Sequence, residues 1–157
     1  MVLKDSGTRR EFKSGAVRDV AEGKGRCDLL PLYVIGTIEN DAILRNIGKF
    51  IYEGDVELII STIKLFYNVV YKTPYDAWLK VAKHYEDGAK KYDARNWEKG
   101  IPAHCYVDSG VRHYLKFMRG DTDEPHERAF LWNMLGLLWT CDNMPELIDL
   151  PFKEVRK

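Results

Sequence analysis

Neither sign of charge predominates in this chain: 24 Lys and Arg residues balance 24 Asp and Glu over 157 residues. A protein whose main partner is a nucleic acid polymer usually carries a basic excess, so that class is set aside. The sequence also lacks any apolar run near the ~18 to 20 residues of a membrane span. Met1 to Arg10 is too polar for a signal peptide. A cytoplasmic protein with no membrane partner is expected. Cysteine is scarce, and Cys27, Cys105 and Cys141 show no paired spacing. That argues against a disulfide framework or a CxxC zinc site and for free structural thiols. No repeat or low-complexity tract is present. Hydrophobic content of 45% beside 31% charged residues is that of an ordinary globular domain with a full core.

The periodicity is helical. Residues 1–31 carry charges and glycines without a clear period and read as an extended N-terminal arm ending in a Gly-rich loop, Glu22 to Pro31. Residues 32–157 read as a helical domain, the whole forming a single domain. Ile35, Ile38, Ile43, Leu44, Ile47 and Ile51 fit one or two short helices, and Glu53-Gly54-Asp55 is a turn. Residues 56–71 place apolar side chains at three- and four-residue steps. Thr73-Pro74-Tyr75-Asp76 is a helix start, with a Thr cap, Pro at the first helical position and an acid in the first turn. That helix should reach Tyr92 with Trp78, Ala82, Tyr85, Ala89 and Tyr92 on its packing stripe. Residues 95–103 read as a loop, and a helix over 104–119 turns Val107, Val111, Tyr114, Leu115 and Met118 inward. The last helix, about 125–141, is apolar on nearly every side, which suits the centre of a bundle or an oligomer interface. The fold class is all-α, and the last helix predicts a homo-oligomer.

Against that background the polar blocks stand out. They are Lys83 to Pro102, Asp108 to His113, and Gly120 to His126 running into Trp132-Asn133. Carboxylates and imidazoles can hold a divalent metal, cations can hold phosphate, and Tyr or Trp can stack on a base. Glu86 lies nearest the expected stripe and is the metal-ligand candidate of its helix, where Glu86–Lys90 and Asp87–Lys91 also suit a solvated ion-paired face. Asp108 and Arg112 are one turn apart: either a local ion pair, or a metal ligand beside a phosphate-binding guanidinium. His113 falls on the more polar side, as a surface residue or a subunit contact. His126 and Asn133 share a helix face, as a buried hydrogen-bonded pair or, with Glu124, as part of a site. Arg95-Asn96-Trp97-Glu98-Lys99, in a loop held by Gly100 and Pro102, suggests recognition. Lys24 and Arg26 sit among glycines whose amides could cradle phosphate.

These blocks in order resemble the phage and prophage dATP/dGTP diphosphohydrolase family. The residues that carry the likeness begin with Gly15-Ala16-Val17-Arg18-Asp19 and Glu22 to Pro31. They continue with His84-Tyr85, Gly88 to Tyr92, and Arg95 to Pro102. The last are Asp108-Ser109, Arg112-His113, Gly120-Asp121, Glu124, His126 and Trp132-Asn133. The stretch 33–75 reads as a probable insertion of helices. The family is related to the MazG-like all-α nucleoside triphosphate pyrophosphohydrolases. The resemblance therefore implies a helical bundle, usually oligomeric, that hydrolyses a (deoxy)nucleoside triphosphate to the monophosphate and pyrophosphate in the host cytoplasm. It implies Mg²⁺ or Mn²⁺ held by helix-borne carboxylates. The MazG pattern of an ExxE helix followed by an ExxD helix is absent, with Glu86-Asp87 and Glu124-Pro125-His126-Glu127 as approximate substitutes.

The expected chemistry follows. Glu86, Asp108, Glu124 and His126 hold the cation and activate water. Lys91, Arg95, Lys99 and Arg112 contact phosphates, with Lys24 and Arg26 closing from the arm. Trp97 or Tyr92 stacks on a purine and Asn96 reads its edge. His113 and Asn133 complete the substrate contacts. A protein that sequesters a nucleotide without cleaving it, or one that serves only assembly, are the alternatives.

Overall fold

Residues 5–152 are described by a computed structural model; positions 1–4 and 153–157, which begin the arm and end the helical segment, lie outside the described residues. The domain is all-α, with a small two-stranded ribbon at its N-terminal side. The ribbon pairs β1 (Arg9–Glu11) with β2 (Val17–Asp19) in antiparallel register, Arg9 opposite Asp19, Arg10 opposite Arg18 and Glu11 opposite Val17. The arm is thus folded into a hairpin where an extended segment was expected. The sequence signal was the Ser14-Gly15 turn: Gly15 sits at φ 89°, and Phe12 and Ala16 close the loop through a 2.9 Å backbone bond. Three-residue strands are too short to show a period of two.

After a short 3-10 turn at Cys27–Leu29 come α1 (Leu32–Ile38), α2 (Ala42–Glu53), α3 (Val56–Val70), α4 (Pro74–Lys91), α5 (Ala103–Arg119) and α6 (His126–Asn143). Local chemistry explains the boundaries. Asp41 accepts from the Leu44 amide at 3.0 Å, Asp55 from Glu57 at 3.0 Å, and Thr73 from Asp76 at 3.0 Å. Each side chain satisfies an amide that the first helical turn leaves open. Gly54 and Gly120, both at positive φ, end α2 and α5 in left-handed caps. Between α4 and α5, Asn96–Lys99 forms a further 3-10 turn inside the expected loop.

α6 is the central helix. Phe130, Leu131, Met134 and Leu137 are fully buried, packed against α3, α4 and α5. The chain itself covers much of the helix whose apolar faces suggested an interface, while Trp132, Leu135, Leu138 and Trp139 stay half-buried. Phe130 meets Phe66 of α3 at 4.7 Å and Tyr114 of α5 at 5.3 Å between ring centroids, tying three helices together. Glycines let α5 and α6 pack closely. A Cβ on Gly136 would stand 2.2 Å from the ring of Tyr106, and one on Gly110 would stand 2.7 Å from Met134.

Two packing faces differ from the expected ones. On α4 the buried residues are Ala77, Val81 and His84, while Ala82 and Ala89 are exposed. The face is rotated from the Trp78–Tyr92 stripe because His84 turns inward against Trp132, 5.9 Å between ring centroids. An imidazole on that face broke the apolar pattern. Met118, expected inward, is 61% exposed in the last turn of α5. Among the described residues, no helix is long and apolar enough to cross a membrane.

The α5–α6 contact makes Gly136→Ala a sharp test. Tyr106 is fully buried and has no room to retreat, so the added methyl should cost about 1 to 3 kcal/mol, the usual range for overpacking. Urea unfolding should show a lower midpoint at unchanged slope; a wild-type midpoint would mean the ring swings aside freely.

Candidate functional site

The hairpin, the end of α4 with its following loop, and the facing sides of α5 and α6 enclose a cavity of about 680 Å³. Two anchors hold the N-terminal chain over the helices. The first is Asn96, buried beneath the hairpin. Its Oδ1 accepts from the Val17 amide at 2.8 Å and its Nδ2 donates to the Val17 carbonyl at 2.8 Å. Ser14 Oγ adds a bond to the Gly100 carbonyl. The second is the buried pair Asp108–Arg112. Asp108 accepts from the Cys27 amide at 2.7 Å, and Arg112 donates to Asp108 at 2.7 Å and to the Gly25 carbonyl at 2.5 Å.

The cavity wall is basic and aromatic. Seven Lys and Arg side chains line it against four carboxylates, with Tyr85, Tyr92, Trp97 and Trp132 among them. Trp97 packs edge-on against Tyr85 at 5.9 Å and Trp139 at 5.1 Å. Tyr92 carries Arg9 at 5.0 Å and Lys91 at 5.3 Å over its ring. Such a surface attracts an anion that also has a flat ring.

On one wall, His113 and Glu124 line the cavity, and they form a cluster with His126 whose ligand atoms all lie within 4.8 Å of one another. Asp121, Asp123 and His126 form a second such group. His126 is fully buried, and Asp123 accepts from its Nε2 at 2.8 Å. That contact turns the other ring nitrogen, Nδ1, to Nδ1 of His113 at 2.8 Å. Burial, then the neighbouring His126, holds the His113 imidazole well below its usual pKa. Two ring nitrogens this close need either a proton or a cation between them.

The structure brings some of the expected site residues together and separates others. Glu124, His126, Lys24, Lys91, Tyr92, Arg95, Trp97, Arg112, His113 and Asn133 lie in or against the cavity wall. His113 is enclosed there, opposite the surface position its helix pattern suggested. Glu86 reaches the rim, but its side chain is 65% exposed and nearest Lys90 at 4.0 Å. Its neighbour Asp87 turns inward, to Arg128 at 2.9 Å. Neither Glu86 nor Asp108 belongs to a metal-type cluster among the described residues. Asp108 is occupied by Cys27 and Arg112, so the local ion pair foreseen for it is present. Asn96, which also lines the cavity, spends one acceptor and one donor site of its amide on Val17, so its first task is to hold the hairpin. Lys99 pairs with Asp93 at 3.5 Å outside the cavity lining. Arg26 forks onto Asp28 at 2.8 Å and lines a different cavity, of about 690 Å³, beside His104 and Asp149.

Among the cationic and imidazole residues of the wall, Arg10, Arg18, His84 and Lys116 have no role assigned by spacing. Arg10 and Arg18 emerge only once the hairpin is recognised, through the Ser14-Gly15 turn between alternating residues. His84 is 7% exposed with Nδ1 lacking a partner among the described residues. Burial, reinforced by Arg128, Arg18 and Lys91, drives its pKa down to about 3.

These features describe an all-α domain built around a polar, aromatic-lined cavity with a His-carboxylate cluster on its wall. The chain belongs to the dATP/dGTP diphosphohydrolase family: the family model described as dATP/dGTP diphosphohydrolase, N-terminal, matches residues 58–149. The match takes in α3, part of the 33–75 stretch read as an insertion, and leaves the hairpin outside. No curated protein and no solved structure matches the chain.

Two outcomes follow from this geometry. Asn96→Ala removes both bonds to Val17, so the hairpin should loosen, stability should fall by about 1 to 3 kcal/mol, and limited proteolysis should cut between residues 9 and 19 faster. Unchanged cleavage would show that the hairpin is held elsewhere. His84 adds a pH dependence. The unfolded imidazole takes a proton near 6.5 and the folded one only near 3, so its contribution is complete above pH 6.5 and is lost as pH falls toward 3. His113 acts in the same direction. His84→Leu should therefore remove about 2 kcal/mol of the stability lost between pH 6.5 and 5; an identical pH slope in urea unfolding would refute this.

Proposed function

We propose that the protein hydrolyses purine (deoxy)nucleoside triphosphates such as dATP and dGTP to the monophosphate and pyrophosphate with the help of a divalent cation, acting on the cytoplasmic nucleotide pool. One observation carries this reading: a cavity lined by cations and rings has the His113–Glu124–His126 cluster on its wall. The family assignment supports it. Because the cavity takes walls from both residues 5–31 and the helices, the arm and the helical segment act as a single domain.

The donor set bears on the choice of metal. Mg²⁺ favours a nearly all-oxygen octahedron, whereas imidazole with carboxylate suits Mn²⁺ and related ions. Two imidazoles and one carboxylate therefore fit Mn²⁺ better than Mg²⁺, and Asp121 and Asp123 offer oxygen donors on the other side of His126. Bound there, the cation would offset phosphate charge and lower the pKa of an attacking water. Asp123 fixes the His126 ring by accepting from Nε2, as a carboxylate behind a ligating imidazole does. Lys24, Lys91, Arg95 and Arg112 supply positive charge for the phosphates. The Tyr85–Trp97 edge supplies a stacking surface for the base.

The sequestering alternative keeps one supporting observation. Glu86 and Asp108 stand apart from the clusters, so the site holds fewer carboxylates than the sequence promised. A homo-oligomer belongs to the same proposal, but through a different surface. Leu65, Val69, Tyr75 and Leu79 on α3 and α4 are exposed, and a second copy could cover them. Light scattering that finds only monomer at micromolar concentration would remove that part.

Pyrophosphate release from dGTP and dATP with Mn²⁺ or Mg²⁺ tests the main reading. Glu124→Ala and His126→Ala should lose at least about 100-fold in turnover, with Mn²⁺ the better activator of the wild type. Asp108→Ala should instead lower the melting temperature, since it leaves the Cys27 amide without its acceptor and the buried Arg112 without its carboxylate. Trp97→Ala should weaken nucleotide binding by about 1 to 3 kcal/mol. Binding without any pyrophosphate release from the wild type would favour sequestration; full activity in both Glu124→Ala and His126→Ala would exclude this cluster as the metal site.

A further inference from the structure

We propose that Arg10 and Arg18 of the hairpin form a paired clamp for the phosphate chain of the nucleotide, an inference that rests on reading this cavity as a nucleotide site. The hairpin lies outside the stretch matched by the family model, and its role follows from placement alone. Arg10 and Arg18 are directly opposed across the two strands, so their side chains leave the ribbon on one face. Both line the cavity. Like charges in directly opposed positions destabilise a ribbon, so this pairing needs a compensating anion.

The protein supplies no such anion among the described residues. Several other arginines have carboxylates: Arg9 has Asp5 at 2.6 Å, Arg26 has Asp28 at 2.8 Å, Arg112 has Asp108 at 2.7 Å, and Arg119 has Asp121 at 2.5 Å; Arg45 instead reaches the Gly36 carbonyl at 2.9 Å. Arg10 has no acceptor there; its Nε is buried and unpartnered, and its guanidinium rests over Phe12 at 5.2 Å. Arg18 has only two distant neutral acceptors, Asn133 Oδ1 at 3.3 Å and the Cys105 carbonyl at 3.5 Å. Its guanidinium is positioned mainly by rings, 5.3 Å from Trp132 and 5.7 Å from Tyr106. Stacking orients the plane without consuming N–H groups. Burial opposes its charge, yet a guanidinium does not give up its proton, so the cost falls on the ligand-free state.

A guanidinium fork matches two oxygens of one phosphate. Two forks side by side match linked phosphates better than a single phosphate or a carboxylate. The Asn96–Val17 bonds fix the strand that carries Arg18 before any ligand arrives, so little ordering remains to be done on binding. The clamp thus favours the triphosphate over the monophosphate and so lets the nucleotide product leave, while pyrophosphate, which keeps two linked phosphates, is the product it holds longer.

The test measures binding of the α,β-methylene analogue of dGTP, whose bridge cannot be cleaved, beside dGMP and inorganic tripolyphosphate. Wild type, Arg10→Gln, Arg18→Gln and Arg18→Lys are compared by calorimetry, with folding checked by circular dichroism. Each Gln variant should raise the Kd of the analogue and of tripolyphosphate about 10- to 100-fold, and that of dGMP by less than about 3-fold. Arg18→Lys should fall between, because it keeps the charge and loses the fork; with Arg10→Gln it decides the matter if Arg18→Gln does not fold. Equal losses for analogue and dGMP, or none, overturn the clamp. If the wild type binds the nucleotides and the variants bind them equally well, the clamp fails and the nucleotide reading stands. If the wild type binds only tripolyphosphate and the variants lose it, the clamp stands and the nucleotide reading fails. Binding of none of the three to the wild type overturns both.

Discussion

The close approach of α5 to α6, through Gly110 and Gly136, is the constraint from which the site follows. With hydrogen in place of a methyl at both positions, Tyr106 and Met134 fill the seam and the two helices stay side by side along their length. That contact places His113 on α5 against His126 on α6 and brings Asn133 within reach of the hairpin. A larger residue at Gly136 would press on the buried Tyr106 ring, whereas one at Gly110 would first meet the flexible end of Met134.

Charge runs through the structure with a consistent logic. Several arginines are matched by carboxylates close by in the chain, as at Arg26–Asp28 and Arg119–Asp121, and in the cavity wall at Arg112–Asp108. In that same wall Arg10, Arg18 and His84 lack such partners among the described residues, and the buried imidazoles of His84 and His113 are held short of their protons. A domain of this size has a stability of about 5 to 15 kcal/mol, so several unmatched groups in one place are a large concession. Such concessions are typical of sites shaped for a charged ligand.

Helix limits were legible from the sequence because they depend on neighbours in the chain. Thr73 caps α4 through a bond spanning three residues, the Gly54-Asp55 turn separates α2 from α3, and Gly120 ends α5 by local conformation; the sequence pattern leaves the break at Asp41 between α1 and α2 open, as one or two helices. The packing faces were less legible. The α4 face was mis-phased because His84 takes a buried position that hydropathy assigns to Ala82 or Ala89. The hairpin was missed because its strands are three residues long and its pairing partners are held by a loop nearly eighty residues away.

The sequence by itself determined an all-α domain, most of its helix boundaries, and the concentration of cations, rings and carboxylates in the segments that wall the cavity. Those features rest on local hydrogen bonding and on composition. Only the tertiary structure decided the roles. It committed Asn96 to the backbone of Val17 and Asp108 to Cys27 and Arg112, left Glu86 at the rim, and enclosed His113 with His126. It also set Arg10 and Arg18 side by side over the cavity. Side chains with the same chemistry became anchors or site residues according to which distant group reached them first, and spacing along the chain carries no record of that.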